Sequence, residues 1–506
     1  MIKNLRPFLL AGQVLFTLFL LYFAVRLVCY HFALVTFPYP NGLREGAMMT
    51  STNALVHGLD PYDMSLQPQL MNPYGIVYPL IVWPFAALFG TTILIHRMVT
   101  AFFILASCAF IFYVLRRMNT SIILSIWSVL MLYASLLYPG TSTPTIDPGA
   151  VGMFFMLLTV FIPWLCRFSY RSLFVSILFG ILAFYTKPYA FLGTIILSSY
   201  LFFFVSKKKG LIYGAVLLAL SAISVVAVAY SLPAYFDDCF FTSLNMTHSW
   251  ESMQRLYYQI NLYSRLHQWT LLMICVFLIW HIFNRTKVRL QDPARHGILL
   301  TVWAGSWSAF VLYFSLGRHS GAMLWYFFQL LSPFLLVGAA WAFNRIELWP
   351  ILCTPFLVLN LLTMTAGQDY KVFYDHRDGW PELTMVISKY QNILNSPLIA
   401  SLLVEQGKPL YDNGQTEYFL SGAERNGWMR GFFKQDDRVY LQMLMFFKDI
   451  RSKIENKEFD LIILQPSLLP LGVGDEIKEF YKYEGQAVVY APQDQKPYAV
   501  TLWRPL

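Results

Sequence analysis

Long apolar runs leave this chain few ways to fold. From Phe8 to Ala366 they recur along the chain, most of them near the 17–25 residues that a helix needs to cross a bilayer. Only 13% of the 506 residues are charged and 57% are hydrophobic, whereas soluble domains carry about 25% charged residues. A water-soluble core cannot hide so much apolar surface. The expected fold class is therefore a polytopic α-helical membrane protein with a small α/β domain at its C-terminal end. The net charge of +9 does not indicate nucleic acid, because the basic residues sit mostly in short loops between apolar runs. The cysteines are scattered, several of them in or beside those runs, and form no disulfide or zinc framework. Met1–Arg6 is short and basic before a long apolar run, which reads as an uncleaved first span.

The basic residues also set the expected topology. Lys3 and Arg6 precede the first span, Phe8–Val35, and favour a cytoplasmic N-terminus. The loop Asn41–Asn72 then lies outside. Later basic clusters occur at Arg116-Arg117, Arg167 with Arg171, Lys207–Lys209, Arg285–Arg295 and Arg345. All of them fall outside if the run Ile76–Ile95 crosses the membrane, and all fall inside if it is re-entrant or interfacial. Positive residues favour the cytoplasm, and Pro79 and Pro84 suit a broken helix, so the second topology is expected. It predicts about eleven full spans, in a bacterial plasma-membrane setting. Two domains follow: a membrane domain over 1–366 and an extracytoplasmic α/β domain over 367–506. In the latter, Leu383–Glu405, Arg438–Lys457 and Asp475–Lys482 read as helices. Pro409–Asp412, Leu461–Gln465, Ala487–Tyr490 and Ala499–Trp503 read as strands.

Polar residues concentrate where spans meet the outer surface. The stretch Asn41–Pro84 carries Glu45, His57, Asp60, Asp63 and Tyr78. Asp147 precedes Pro148 at the mouth of a later span, Lys187 sits in the turn Thr186-Lys187-Pro188, and Arg318-His319 precede the span containing Tyr326. If these mouths converge, two carboxylates and two or three cations share one rim. One carboxylate could then act as general base, and arginine, lysine or histidine would offset charge on a leaving phosphate. A divalent cation is left open as a cofactor, with Asp147, His57, Asp60 and Tyr78 as candidate substrate or metal contacts; the metal itself is unassigned. Plainer roles are open to several of these residues. Asp60, Asp63, Asp237 and Asp238 suit turns and caps, and Lys187 could equally bind an anion or snorkel at a helix end. Ala234–Gln268 suits an amphipathic segment on the bilayer or a lid, and Asn245-Met246-Thr247 within it is a glycosylation sequon.

A resemblance adds to this reading. Glu45-Gly46, then His57-Gly58-Leu59-Asp60-Pro61-Tyr62, then Tyr74-Gly75-Ile76-Val77-Tyr78-Pro79-Leu80 is similar to the first outer loop of GT-C-class integral membrane glycosyltransferases. That class includes the lipid-A aminoarabinose transferases and the protein O-mannosyltransferases. Thr186-Lys187-Pro188 resembles their mid-chain turn, and Gly317–Gly321 with Tyr326-Phe327 resembles a late outer loop and span. The chain departs in having one proline, Pro79, where the class has two. The resemblance covers roughly the first 340 residues. It implies a polyprenyl-phosphate-linked sugar as donor, Glu45 as the acidic base and Asp147 as the second outer acid. Lys187, Arg318, His319 and Tyr326 are then the expected donor-phosphate contacts. The acceptor, whether lipid, glycan or protein, lies outside the membrane. A lipid-linked sugar flippase or transporter is the alternative, although it calls for ionisable groups deep within spans, where this sequence has few. A surface-glycan ligase or polymerase would share the same donor chemistry.

Overall fold

The computed structural model describes all residues except 1, 68, 70, 71, 142, 237, 238, 240–249, 285–291, 319–323, 347, 414–437 and 466–473. The N-terminal part is helical: α1 (Ile2–Thr36), α2 (Glu45–Val56), α3 (Val77–Phe89), α4 (Ile93–Arg117), α5 (Ile122–Leu136), α6 (Pro148–Leu165), α7 (Tyr170–Phe184), α8 (Leu192–Tyr200) and α9 (Lys207–Ser231). Helices Gln268–Asn284, Asp292–Phe314, Ser332–Phe343 and Thr354–Thr365 complete the bundle. Five of the numbered helices start at a short polar residue. Thr92, Ser121, Asp147, Ser169 and Ser206 each accept a first-turn N–H with the side-chain oxygen, so apolar helices begin where these caps stand.

Among the described residues, six helices are long and apolar enough to cross a membrane, or eight if each of two bent pairs counts as one span. Shorter apolar helices occur at Val77–Phe89, Ile122–Leu136, Tyr170–Phe184 and Thr354–Thr365. The expected total of about eleven is reached only if several of these cross as well. Helix α3 has 13 residues, contains Pro84 and ends at Gly90. At 1.5 Å per residue it is about 20 Å long, short of the roughly 30 Å hydrocarbon layer.

The bent pairs break at neighbouring points. Met253–Leu266 meets Gln268–Ile279 at 76°, and Leu324–Leu330 meets Ser332–Phe343 at 51°. Ser332 Oγ lies 3.4 Å from His267 Nε2 and 3.1 Å from the Tyr263 hydroxyl. The Asn360 amide donates to Leu266 O at 2.9 Å and accepts from Thr270 N at 2.8 Å. Irregular backbone at this depth is tolerated when protein groups satisfy it. Within Ala234–Gln268, expected as an amphipathic segment on the bilayer or a lid, lies the helix Trp250–Leu266; Asp237, Asp238 and the sequon lie outside the described residues.

The C-terminal part builds a four-stranded sheet in the order β1 (Ile393–Leu394), β2 (Leu461–Leu464), β4 (Lys496–Pro505), β3 (Tyr481–Ala491). Strand β1 runs parallel to β2, and the other pairings are antiparallel. Every residue of β2 is buried, and its side chains alternate between two cores. Leu461 and Ile463 join the main core, which runs on into the bundle, while Ile462 and Leu464 pack with Phe446, Ile450 and Ile454 of the helix Arg438–Glu455. The expected helix over Leu383–Glu405 divides into Trp380–Lys389 and Ala400–Glu405, with β1 between them. Ser396-Pro397 opens a new turn there, and the residue before a proline disfavours helix. Pro409–Asp412 does not join the sheet; Asn395 Oδ1 accepts the N–H groups of Tyr411 and Asp412 instead. Trp380 stacks on Tyr39 at 5.5 Å, so the sheet domain sits directly on the bundle.

Candidate active site

Two buried ion pairs stand at the mouths of the helices. The first joins Glu45, the first residue of α2, to Arg97 on α4. Their side chains are 1% and 0% exposed. Arg97 Nε donates to Glu45 Oε1 at 2.9 Å and Nη2 donates to Oε2 at 2.8 Å. The Asn41 N–H donates to Oε2 as well, at 2.8 Å. The remaining guanidinium hydrogens go to the carbonyls of Leu34, Phe37 and Tyr39 at the end of α1. Arginine has five N–H donors, and all are used here. A carboxylate offers about four acceptor positions, so Glu45 keeps roughly one. Glu405, from the sheet domain, accepts the Ile93 N–H at 2.5 Å beside this pair. Burial pushes the Glu405 carboxyl above its ordinary value, and the nearby Glu45 charge adds to this.

The second pair arises from a close approach of two backbones. The Gly75 N–H donates to Thr186 O at 3.2 Å, and the Val77 N–H donates to Tyr185 O at 3.0 Å. A Cβ on Gly75 would lie 1.8 Å from Tyr185 O, so only glycine permits the contact. It brings Tyr74 beside Lys187. Lys187 Nζ donates to Asp147 Oδ1 at 2.6 Å and lies 4.9 Å from the Tyr74 ring centre and 5.5 Å from that of Tyr189. Asp147 Oδ1 also accepts the Gly149 N–H at 2.8 Å, and Oδ2 accepts from Gln329 Nε2 at 3.0 Å. Gln329 donates to Thr143 Oγ1 at 3.0 Å and accepts from the Tyr189 hydroxyl. Its amide reaches Asp147 across Gly149, where a Cβ would meet it at 2.5 Å.

Burial alone would raise the Asp147 carboxyl, but the Lys187 ammonium outweighs it, helped by Gly149 N–H and Gln329, and holds the carboxyl below the usual range. Burial would lower Lys187, and Asp147 likewise prevails, so the ammonium is held above its usual value. Tyr326 packs edge-on against Tyr189 at 5.0 Å and feels both Lys187 and Arg44. Arg44 lies 4.9 Å from the Trp325 ring centre.

The other expected site residues do different work. His57 caps the end of α2, exposed, with Nδ1 2.8 Å from Asn53 O. Asp60 accepts the Tyr62 N–H, a turn role; burial raises its carboxyl. The Tyr78 hydroxyl donates to His96 O at 3.1 Å and lies 3.3 Å from Thr100 Oγ1, both on α4. Arg318 ends the 3₁₀ turn Leu316–Arg318; its side chain and His319 lie outside the described residues. No group of three or more His, Cys, Asp or Glu that could hold a metal occurs among the described residues. Glu45 and Asp147 are each held mainly by a cationic partner, a setting that does not fit a divalent ion. Arg97, Arg44, Tyr74, Tyr189 and Gln329 line this candidate site and are not among the site residues expected from the sequence. Arg97 and Gln329 carry a signal that could have found them, because a polar side chain within an apolar segment needs a buried partner.

No protein-family model matches the chain, and no curated protein matches it in sequence. Solved structures do match. ArnT from Cupriavidus metallidurans bound to undecaprenyl phosphate superposes with a TM-score of 0.57 at 13% identity, covering 96% of this chain and 97% of that one. Apo ArnT from the same organism gives a TM-score of 0.61 at 11% identity, with the same coverage. The likeness extends well past residue 340 into the sheet domain. The resemblance to the aminoarabinose transferases in the sequence is therefore met at the level of the fold: the chain has the ArnT fold over almost its whole length.

Proposed function

We propose that this chain is an inverting glycosyltransferase that moves a sugar from a polyprenyl-phosphate donor to an acceptor on the outer side of the membrane. The observation that carries the proposal is the buried Asp147–Lys187 pair ringed by Tyr74, Tyr189 and Tyr326. Lys187 has three N–H donors and gives one to Asp147. The others can serve a phosphate oxygen in an aromatic, water-poor setting, where a charge-assisted hydrogen bond is strong. Arg44, 4.9 Å from the ring centre of Trp325 next to Tyr326, supplies a second cation, and Arg318 and His319 keep their expected part in donor binding. ArnT, which shares this fold, has been solved with undecaprenyl phosphate bound.

In this reading Glu45 uses its remaining acceptor position to take the proton of the acceptor hydroxyl. The acceptor oxygen attacks the anomeric carbon from the face opposite the phosphate. The carbon–oxygen bond to the phosphate breaks, and the polyprenyl phosphate leaves with the electron pair. Lys187 and Arg44 offset the charge that develops on it. Asp147 holds Lys187 in place. The reaction then belongs to the outer face, with the N-terminus inside, the sheet domain outside and α3 re-entrant, in keeping with the distribution of basic residues.

Binding of undecaprenyl phosphate to the purified protein tests this. Wild type is expected to bind it and to transfer sugar from the corresponding donor to a lipid, glycan or peptide acceptor in a panel. Lys187→Gln is expected to weaken binding about 10-fold or more, the loss of one charged hydrogen bond. Equal binding by wild type and Lys187→Gln would remove the phosphate site from this place. Movement of the lipid-linked sugar across liposomes without any transfer would favour the flippase.

A further inference from the structure

The turn between β3 and β4 leaves the sheet domain and enters the bundle. Gln493 in this turn is 1% exposed. Its Nε2 donates to Tyr138 O at 3.1 Å and to Thr141 O at 2.9 Å, and its Oε1 accepts from the Tyr30 hydroxyl at 3.2 Å. Its backbone carbonyl accepts the Gly140 N–H at 2.6 Å. Both amide hydrogens are thus used on protein. Tyr138, Gly140 and Thr141 belong to the segment that joins α5 to α6 and ends in Asp147, and Tyr30 belongs to α1. The next residue, Asp494, faces the other acid-bearing segment: a Cβ added at Gly42 would lie 3.6 Å from Asp494 Oδ1. Asp494 Oδ2 accepts from the Tyr498 hydroxyl at 2.5 Å, and the carboxylate feels both Glu45 and Arg44.

We propose that the Gln493–Asp494 turn is a positioning element that holds the Asp147 segment and the Glu45 segment in register. The two segments come from different interhelical loops. The turn binds one through Gln493 and lies against the other through Asp494. The sheet domain then shapes the site and leaves acceptor and donor contact to the bundle. Its catalytic consequence rests on the transferase reading above; its structural consequence does not.

Hydrogen exchange on the full-length protein in nanodiscs separates the two. In Gln493→Ala, amide exchange across 138–147 and 41–45 is expected to rise about 10-fold or more, while α4, α6 and β2 stay unchanged. Tyr30→Phe removes only the hydroxyl that donates to Gln493 and is expected to raise exchange in the same segments by a smaller factor. It decides the matter if Gln493→Ala does not fold. Unchanged exchange in those segments, or a rise spread over the whole chain, would overturn the proposal. In the transfer assay, Gln493→Ala is expected to lower kcat about 10- to 100-fold with KM within about twofold, the signature of misplaced reacting groups. A local rise in exchange with unaltered kcat also overturns it. If wild type neither binds undecaprenyl phosphate nor transfers sugar, the transferase reading fails, and the exchange data alone decide whether the turn is a clamp.

Discussion

Replacing Glu45 by glutamine tests how a buried carboxylate can serve both structure and chemistry. The substitution keeps the shape and removes the charge. Arg97, 0% exposed, is left with three carbonyl partners and no anion, and the new amide turns N–H groups toward other donors. Breaking a buried ion pair on one side costs about 3–5 kcal/mol, a sizeable share of the roughly 5–15 kcal/mol that stabilises a typical domain. Glu45→Gln with Arg97→Gln removes both charges and leaves an amide to serve one of the carbonyls of Leu34, Phe37 and Tyr39. The double variant is therefore expected to recover about half of the loss, since replacing a buried pair as a whole is far less costly than breaking it. Cys108 and Cys353 are buried, whereas Cys29, Cys166 and Cys275 are exposed, so with the exposed three replaced in every variant a thiol-reactive dye reads thermal unfolding in detergent. An unchanged midpoint for Glu45→Gln would refute the argument, as would a double variant no more stable than the single one. Once the double variant is folded, its activity isolates the proton-transfer role. Transfer at the wild-type rate would exclude Glu45 as base.

Two further outcomes follow from the same geometry. Gly75→Ala places a methyl group 1.8 Å from Tyr185 O, which forces the Tyr74 segment away from Lys187. A loss of at least about 2–3 kcal/mol in denaturant titration, with weakened undecaprenyl phosphate binding, is expected; wild-type stability would show that the two backbones do not touch. Glu405, raised by burial, carries a folded-state carboxyl pKa above its unfolded one, so it favours folding below that window and opposes it increasingly as pH rises through the folded value. Glu405→Gln keeps an oxygen for Ile93 N–H and is expected to flatten the fall in stability over that interval; a pH profile identical to wild type would refute it.

Much of this architecture is legible in residue type and spacing. The apolar runs, the charged C-terminal third with its LIILQ strand, and Glu45, Asp147 and Lys187 as mouth residues all stand out in the sequence. Lys187 alone was open between anion binding and snorkelling. It is 4% exposed and paired to Asp147, so its head group is not in water. The pairings are not legible. Glu45 meets Arg97 after 52 residues and Asp147 meets Gln329 after 182, and no local pattern encodes which helix mouths converge. The helix expected across Leu383–Glu405 failed for a readable reason, since Asn395-Ser396-Pro397 is a turn signal that an apolar pattern outweighed. Asp60 and His57 kept the roles their residue types favour, a turn and a helix end.

Arg97 also bears on how the chain enters the membrane. An arginine at the centre of an inserting helix costs about 2.5–3.5 kcal/mol, and the cost is smaller near an end. Arg97 is the fifth residue of α4. Its anion, Glu45, and its three carbonyls at the end of α1 all precede it in the chain, so during synthesis every partner has been made before α4 emerges. The ion pair can close as α4 inserts, with no help from the later helices. The first four helices then form a unit onto which the remaining spans and the sheet domain are added.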